Sequence, residues 1–144
     1  MWDRADRFTR SALGFSILAV VQDNPTALAV DGTTFRHPDG VLHLTQFTQV
    51  AMSTLAAAQM AELSEAGCAD HDAVVCGHSV GEYNALAAVS GILPLEGVLE
   101  IVYRRGTAMH RLVPRDAEGA SRYRLAAARP SEAGLDEAGL VRLV

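Results

Sequence analysis

The sequence is short of several things, and each shortage closes off a class of protein. Cysteine is scarce: Cys68 and Cys76 are the only two among 144 residues. No histidine pattern partners them, so they suggest neither a disulfide framework nor a zinc or other metal site. A reducing cytoplasm is the simplest setting. Basic residues form no run, and the net charge of -5 leaves nothing to neutralise a phosphate backbone. A nucleic-acid binder is excluded on that ground. No apolar run is long enough to cross a bilayer, so no membrane partner is expected. The most apolar early stretch, residues 12–21, follows several arginines and precedes Ala27-Leu28-Ala29, which has the form of a processing site. Asp3 and Asp6 offset the positive charge ahead of it, and Asp23-Asn24-Pro25 serves as a helix stop. The stretch is therefore read as a helix and not as a signal peptide. Internal repeats and low-complexity segments are missing too.

What is left is the composition of a soluble globular protein, 49% apolar and 20% charged. The chain is about one domain long, enough to bury roughly two-thirds of its unfolded surface.

Periodicity predicts a helix over residues 3–21, on the spacing of Phe8, Ala12, Phe15 and Ala19. Two short extended pieces follow, Leu28–Val30 and Thr33–Phe35, separated by the turn pair Asp31-Gly32. A second Asp-Gly pair, Asp39-Gly40, closes the region. A long helix is predicted over 45–66, with Thr45 as N-cap, Gly67 as stop, and an apolar face of Phe47, Val50, Ala51, Leu55, Ala58 and Leu63. Residues 68–72 read as a loop. Ala73-Val74-Val75-Cys76 reads as a buried strand, and the stretch from Tyr83 to Val89 as a helix. After a break at Gly91 and Pro94, a helix over 95–112 carries an apolar stripe of Val98, Ile101, Val102, Met109 and Leu112. Arg105 falls on that stripe, with Arg104 beside it. Residues 123–129 suggest a strand and 131–143 a short helix.

The chain is organised around Gly77-His78-Ser79-Val80-Gly81-Glu82. Strand, G-x-S-x-G, helix is the arrangement of a nucleophile elbow. A serine in a sharp turn needs small residues two before and two after it, and Gly77 and Gly81 answer that need. The turn lifts the Ser79 hydroxyl to the positive end of the following helix. The Val80 amide then points where an oxyanion would form. His78 adjoins the serine on a tight turn and points away from it, so its role is structural. Glu82 lies in the first turn of the helix, where the dipole favours a carboxylate, and is read as supporting. His37, His43, His71 and His110 have nothing to tie them to Ser79. His110 sits near a helix C-terminus, where a cation is favoured. Arg105 has a different claim: a guanidinium on an apolar stripe is costly unless an anion pairs with it. It either binds a ligand anion, or snorkels or bridges a structural carboxylate.

The hexapeptide, the following Tyr83-x-Ala85-Leu86-Ala87 and the segment Arg105-Gly106 resemble the malonyl/acyl-CoA:carrier-protein acyltransferase family. Thr45-Gln46-Phe47-Thr48-Gln49-Val50-Ala51 resembles that family's T-Q-P-A helix without its proline, which adds Gln49 to the supporting residues. Asp23-Asn24-Pro25-Thr26, Phe35–Gly40 and Leu112–Asp116 bring the resemblance closest to the malonyl/palmitoyl transferase domain of actinobacterial type I fatty acid synthases. The resemblance implies an α/β fold: a partial, hydrolase-like acyltransferase core over residues 1–121, and the beginning of a small ferredoxin-like subdomain over 122–144. It implies ping-pong transfer. Ser79 takes an acyl group from malonyl-CoA or a long-chain acyl-CoA and passes it to the phosphopantetheine thiol of an acyl carrier domain. Arg105 would hold the malonyl carboxylate. No resident cofactor is implied, and the partner is the rest of a fatty acid synthase. Two parts of the family's machinery have no match here: a G-Q-G-x-Q loop, and a catalytic histidine beyond the small subdomain. The chain is thus expected to be a fragment, weak or inactive alone. The rivals are a serine hydrolase or thioesterase, and a truncated segment without catalysis.

Overall fold

The computed structural model describes residues 1–69, 72–88, 92–123, 134 and 139. In chain order the elements are α1 (Trp2–Ala12), α2 (Ile17–Asp23), β1 (Ala27–Val30), β2 (Thr33–Arg36), a 3-10 turn (Val41–His43), α3 (Thr45–Glu65), α4 (Val80–Ala88) and α5 (Leu95–Leu112).

The single helix expected over 3–21 is two helices with a corner between them. Gly14 takes φ +76°, which a helix cannot continue through, and Ser16 restarts the chain by accepting the Ala19 amide. Asp6 locks the corner. Its carboxylate accepts from Arg10 at 2.6 Å, from the Ser16 hydroxyl at 2.6 Å and from the Leu18 amide at 3.1 Å. Burial opposes ionisation of Asp6, and these three bonds outweigh it, holding the carboxyl below its ordinary value.

The two extended pieces pair as expected. β1 and β2 form an antiparallel hairpin with Leu28 opposite Phe35 and Val30 opposite Thr33. Asp31 at φ +47° and Gly32 at φ +78° make the two-residue turn that matches strand twist.

α5 has the bounds the sequence predicts, and α3 ends one residue short of them. Their buried faces are not the predicted ones. Thr45 is the first residue of α3, not its cap; Leu44 stands at the cap position without a side-chain bond. The buried face of α3 is Gln46, Phe47, Gln49, Val50, Ser53, Thr54 and Ala57. Leu55 and Leu63, expected inside, are nearly half exposed. The reason is where α5 lies. A Cβ on Gly106 would stand 2.4 Å from Gln46 Cα, so the helices meet backbone to backbone. Short and polar side chains fit such a seam, and leucines do not. On α5 the buried face is Leu95, Val98, Leu99, Val102 and Gly106. Ile101, Met109 and Leu112 from the expected stripe face outward, Leu112 at 81% exposure.

Aromatic rings fill the space between α2, the hairpin and this helix pair. Phe47, fully buried, meets Phe15 edge-on at 5.1 Å and Phe35 edge-on at 5.5 Å, with Tyr103 at 6.2 Å. Arg4 of α1 forks onto Glu96 in the first turn of α5 at 2.6 and 2.7 Å, which ties the first helix to the last.

The segment 73–77 departs from expectation. It runs without strand pairing, and among the described residues the sheet is confined to the hairpin. Val74 is 97% exposed, and Cys76, expected inside, is exposed. A strand exists only with a neighbour to share its hydrogen bonds, and no described residue supplies one. Apart from residues 123, 134 and 139, the strand of 123–129 and helix of 131–143, and with them most of the expected ferredoxin-like subdomain, lie outside the described residues. No helix among the described residues is long and apolar enough to cross a membrane.

Candidate active site

The turn before α4 is tight for a reason that lies in Gly77. A Cβ there would stand 2.1 Å from the Gly81 carbonyl carbon and 2.5 Å from the Glu82 nitrogen, so the chain folds back onto the bare glycine. The partner demand on Gly81 is not met in the same way: a Cβ there touches nothing within 4 Å. Ser79 sits at φ +57°, the left-handed region that non-glycine residues rarely adopt. α4 begins at the next residue, three earlier than its apolar pattern suggests. The Gly81 amide donates to the His78 carbonyl at 2.9 Å and the Glu82 amide to the Ser79 carbonyl at 3.3 Å. The Val80 amide opens the helix, where amides have no acceptor within the helix. His78 contributes that carbonyl, and its side chain is exposed. Glu82 is exposed in the first turn of α4, with its charge at the positive end of the dipole.

Side chains from α5 and α3 converge beside the serine. Arg105 of α5 donates through Nη2 to Ser79 Oγ at 2.9 Å and through Nη1 to Gln49 Oε1 of α3 at 2.8 Å. Gln49 is buried and oriented: its Oε1 faces the guanidinium, and its Nε2 lies 3.9 Å from Met109 Sδ. The Gly106–Gln46 seam, one residue from Arg105 and three from Gln49, brings α5 close enough for the Arg105–Gln49 bond to form. Arg105 has no carboxylate within ion-pairing distance among the described residues, whereas its neighbour Arg104 pairs with Glu100 at 2.7 Å. The hydrogen bonds of this half-buried cation go to neutral oxygens, so its charge is left without a counter-ion among the described residues. The structural ion pair that the sequence left open for Arg105 is absent among those residues.

The histidines stand apart from this cluster. His37 and His43 stack on each other, rings 5.0 Å apart and 9° from parallel. His110 packs edge-on against Phe35 at 5.5 Å. Burial, then the charges of Arg115 and Arg111, push its pKa down, so the expected favour for a cation at the end of α5 is overridden. His71 lies outside the described residues.

Sequence reasoning missed one neighbour of the site. Tyr83 places its ring 5.9 Å from Arg105 Cζ. The spacing was readable, since Tyr83 lies one helical turn beyond Ser79, but nothing in the sequence told which way Arg105 would reach.

The arrangement is a glycine-buttressed serine at a helix start, with a helix-first amide beside it and a cation on its hydroxyl. The chain belongs to the acyl transferase domain family, which it matches over residues 1–137. Its relatives include fatty acid synthase beta subunits. That of Emericella nidulans named stcK is 34% identical across all of this chain and 9% of its own length. The TOXC beta subunit of Cochliobolus carbonum is 34% identical across all of this chain and 9% of its own length. The beta subunit of Saccharomyces cerevisiae is 33% identical across 90% of this chain and 8% of its own length. The chain thus spans about a tenth of these relatives.

Proposed function

We propose that this chain is the acyl-loading segment of a cytoplasmic fatty acid synthase, moving malonyl or long-chain acyl groups from CoA to an acyl carrier domain. One observation carries the reading: Arg105 bridges Ser79 and Gln49 through neutral oxygens alone. In the first half-reaction Ser79 Oγ attacks the thioester carbonyl. The oxyanion is met by the Val80 amide, the carbon–sulfur bond breaks, and CoA leaves as its thiol with the serine proton. In the second, the pantetheine thiol of the carrier attacks the acyl-serine carbonyl, the bond from the acyl carbon to Oγ breaks, and the thiol proton passes to Oγ. A malonyl carboxylate takes both nitrogens of Arg105 as a bidentate partner. For a palmitoyl chain the guanidinium has nothing to bind and steps aside. Gln49 aims the guanidinium, and Gly77, His78, Gly81 and Glu82 build the turn.

A guanidinium cannot accept a proton. The group on the Ser79 hydroxyl is therefore not its base, and the serine is a weak nucleophile without one. The resemblance assigns that base to a histidine, and among the described residues the group hydrogen-bonded to Ser79 Oγ is Arg105. The test is incubation with malonyl-CoA followed by mass analysis of the intact chain. A stable malonyl adduct that disappears in Ser79→Ala supports transfer. Rapid release of free malonate points to a hydrolase instead. No reaction with either malonyl-CoA or a small serine-directed acylating agent points to a non-catalytic segment.

A further inference from the structure

Acylation removes one of the three contacts that hold Arg105. Once Ser79 Oγ is an ester oxygen it is a poor acceptor, and the 2.9 Å bond to Nη2 is lost as the carboxylate must be gripped. Gln49 Oε1 anchors the other nitrogen at 2.8 Å. The remaining contact is the Tyr83 ring, 5.9 Å from Arg105 Cζ. That ring packs against the buried core, which restricts its movement. An aromatic face attracts a cation without neutralising it. A carboxylate in its place would fill the positions a ligand anion needs.

We propose that Tyr83 is a positioning residue that sets specificity for acyl groups bearing a free carboxylate. It keeps the guanidinium at the acyl-serine without itself occupying a hydrogen of either nitrogen. The proposal rests on Arg105 being the carboxylate receptor. An acyl group without a carboxylate gains nothing from a held cation, so Tyr83 acts on the ratio of malonyl to simple acyl binding and not on both alike.

The test replaces Tyr83 with phenylalanine and then with its mono-, di- and pentafluorinated forms, which keep the shape and progressively drain the ring face. The full chain is used in a Ser79→Ala background, which prevents turnover and removes the serine acceptor as acylation does. Malonyl-CoA and acetyl-CoA binding are measured by calorimetry. Tyr83→Phe is expected to bind as the parent. The malonyl-CoA Kd should then rise stepwise to about 2–5-fold across the series, with acetyl-CoA binding unchanged. A flat malonyl series, or an equal rise for both ligands, overturns the role of Tyr83. Arg105→Ala separates the two layers. If it leaves the malonyl preference intact, the Arg105 assignment falls and this proposal with it. If it abolishes the preference while the fluorinated series is flat, Tyr83 alone is refuted.

Discussion

Replacing Gly106 with alanine tests whether the α3–α5 seam builds the site. The new Cβ would stand 2.4 Å from Gln46 Cα, 2.6 Å from Gln46 N and 3.0 Å from Gln46 Cβ. Carbon atoms pack at about 3.5–4.0 Å, so the two backbones must part by roughly 1 Å. Neither side of the contact is a flexible side-chain end that could swing clear. Overpacking of this kind costs about 3 kcal/mol at the upper end of its range. The same displacement strains the 2.8 Å bond from Arg105 to Gln49, a charge-assisted bond worth about 1.5 kcal/mol. Alanine returns about 1 kcal/mol of helix propensity. The net loss is about 3–4 kcal/mol, which lowers the melting temperature by on the order of 10 °C for a chain of this size. Gly97→Ala on the same helix is the internal control. Its Cβ meets nothing nearer than Pro94 Cγ at 3.5 Å, an ordinary contact, so it should be neutral or stabilise by up to about 1 kcal/mol. Thermal melts followed by circular dichroism decide the matter. If Gly106→Ala melts with the wild type, or both variants shift alike, the seam is not the constraint described.

Two further outcomes follow from the same geometry. Gly77→Ala should cut malonyl adduct formation on Ser79 by about 100-fold, since the turn that aims the serine cannot close around a Cβ. Gly81→Ala should retain the adduct, because its Cβ meets open space; equal losses would refute the distinction. Asp6 gives a pH dependence. Its folded pKa lies below the unfolded value of about 3.9, so its contribution is complete above that value and fades as pH falls through the folded one. Asp6→Asn should lower the melting temperature at pH 7 and flatten the acid decline; parallel curves for variant and parent would count against the corner lock.

The elements that punctuation residues mark were legible. Asp31-Gly32 gave the hairpin turn, Pro94 the start of α5, and Gly67 the end of α3. The faces were harder to read. Periodicity marks Leu55 and Leu63 as apolar, but it cannot see that Gly106 lets a second backbone so close that Gln46 and Ser53 become the interior. The strand at Ala73–Cys76 was read from its own residues, whereas a strand is a property of two segments. At the site, Ser79, Val80, Gly77 and Arg105 were singled out by spacing alone, and Gln49 by resemblance. What spacing could not supply was the shared geometry: that Arg105 grips Gln49 and Ser79 at once, with Tyr83 alongside.

The bonds of Arg105 also bear on the order in which the chain becomes itself. One spans 56 residues back to Gln49 and the other 26 back to Ser79. Neither can form until α5 has left the ribosome and closed those loops, and contacts of such separation form late in folding. A nascent chain that has passed residue 79 but not residue 105 therefore carries its serine without the cation. Any grip of Arg105 on an acid-bearing acyl group therefore waits on α5, and local loosening of α5 would release it.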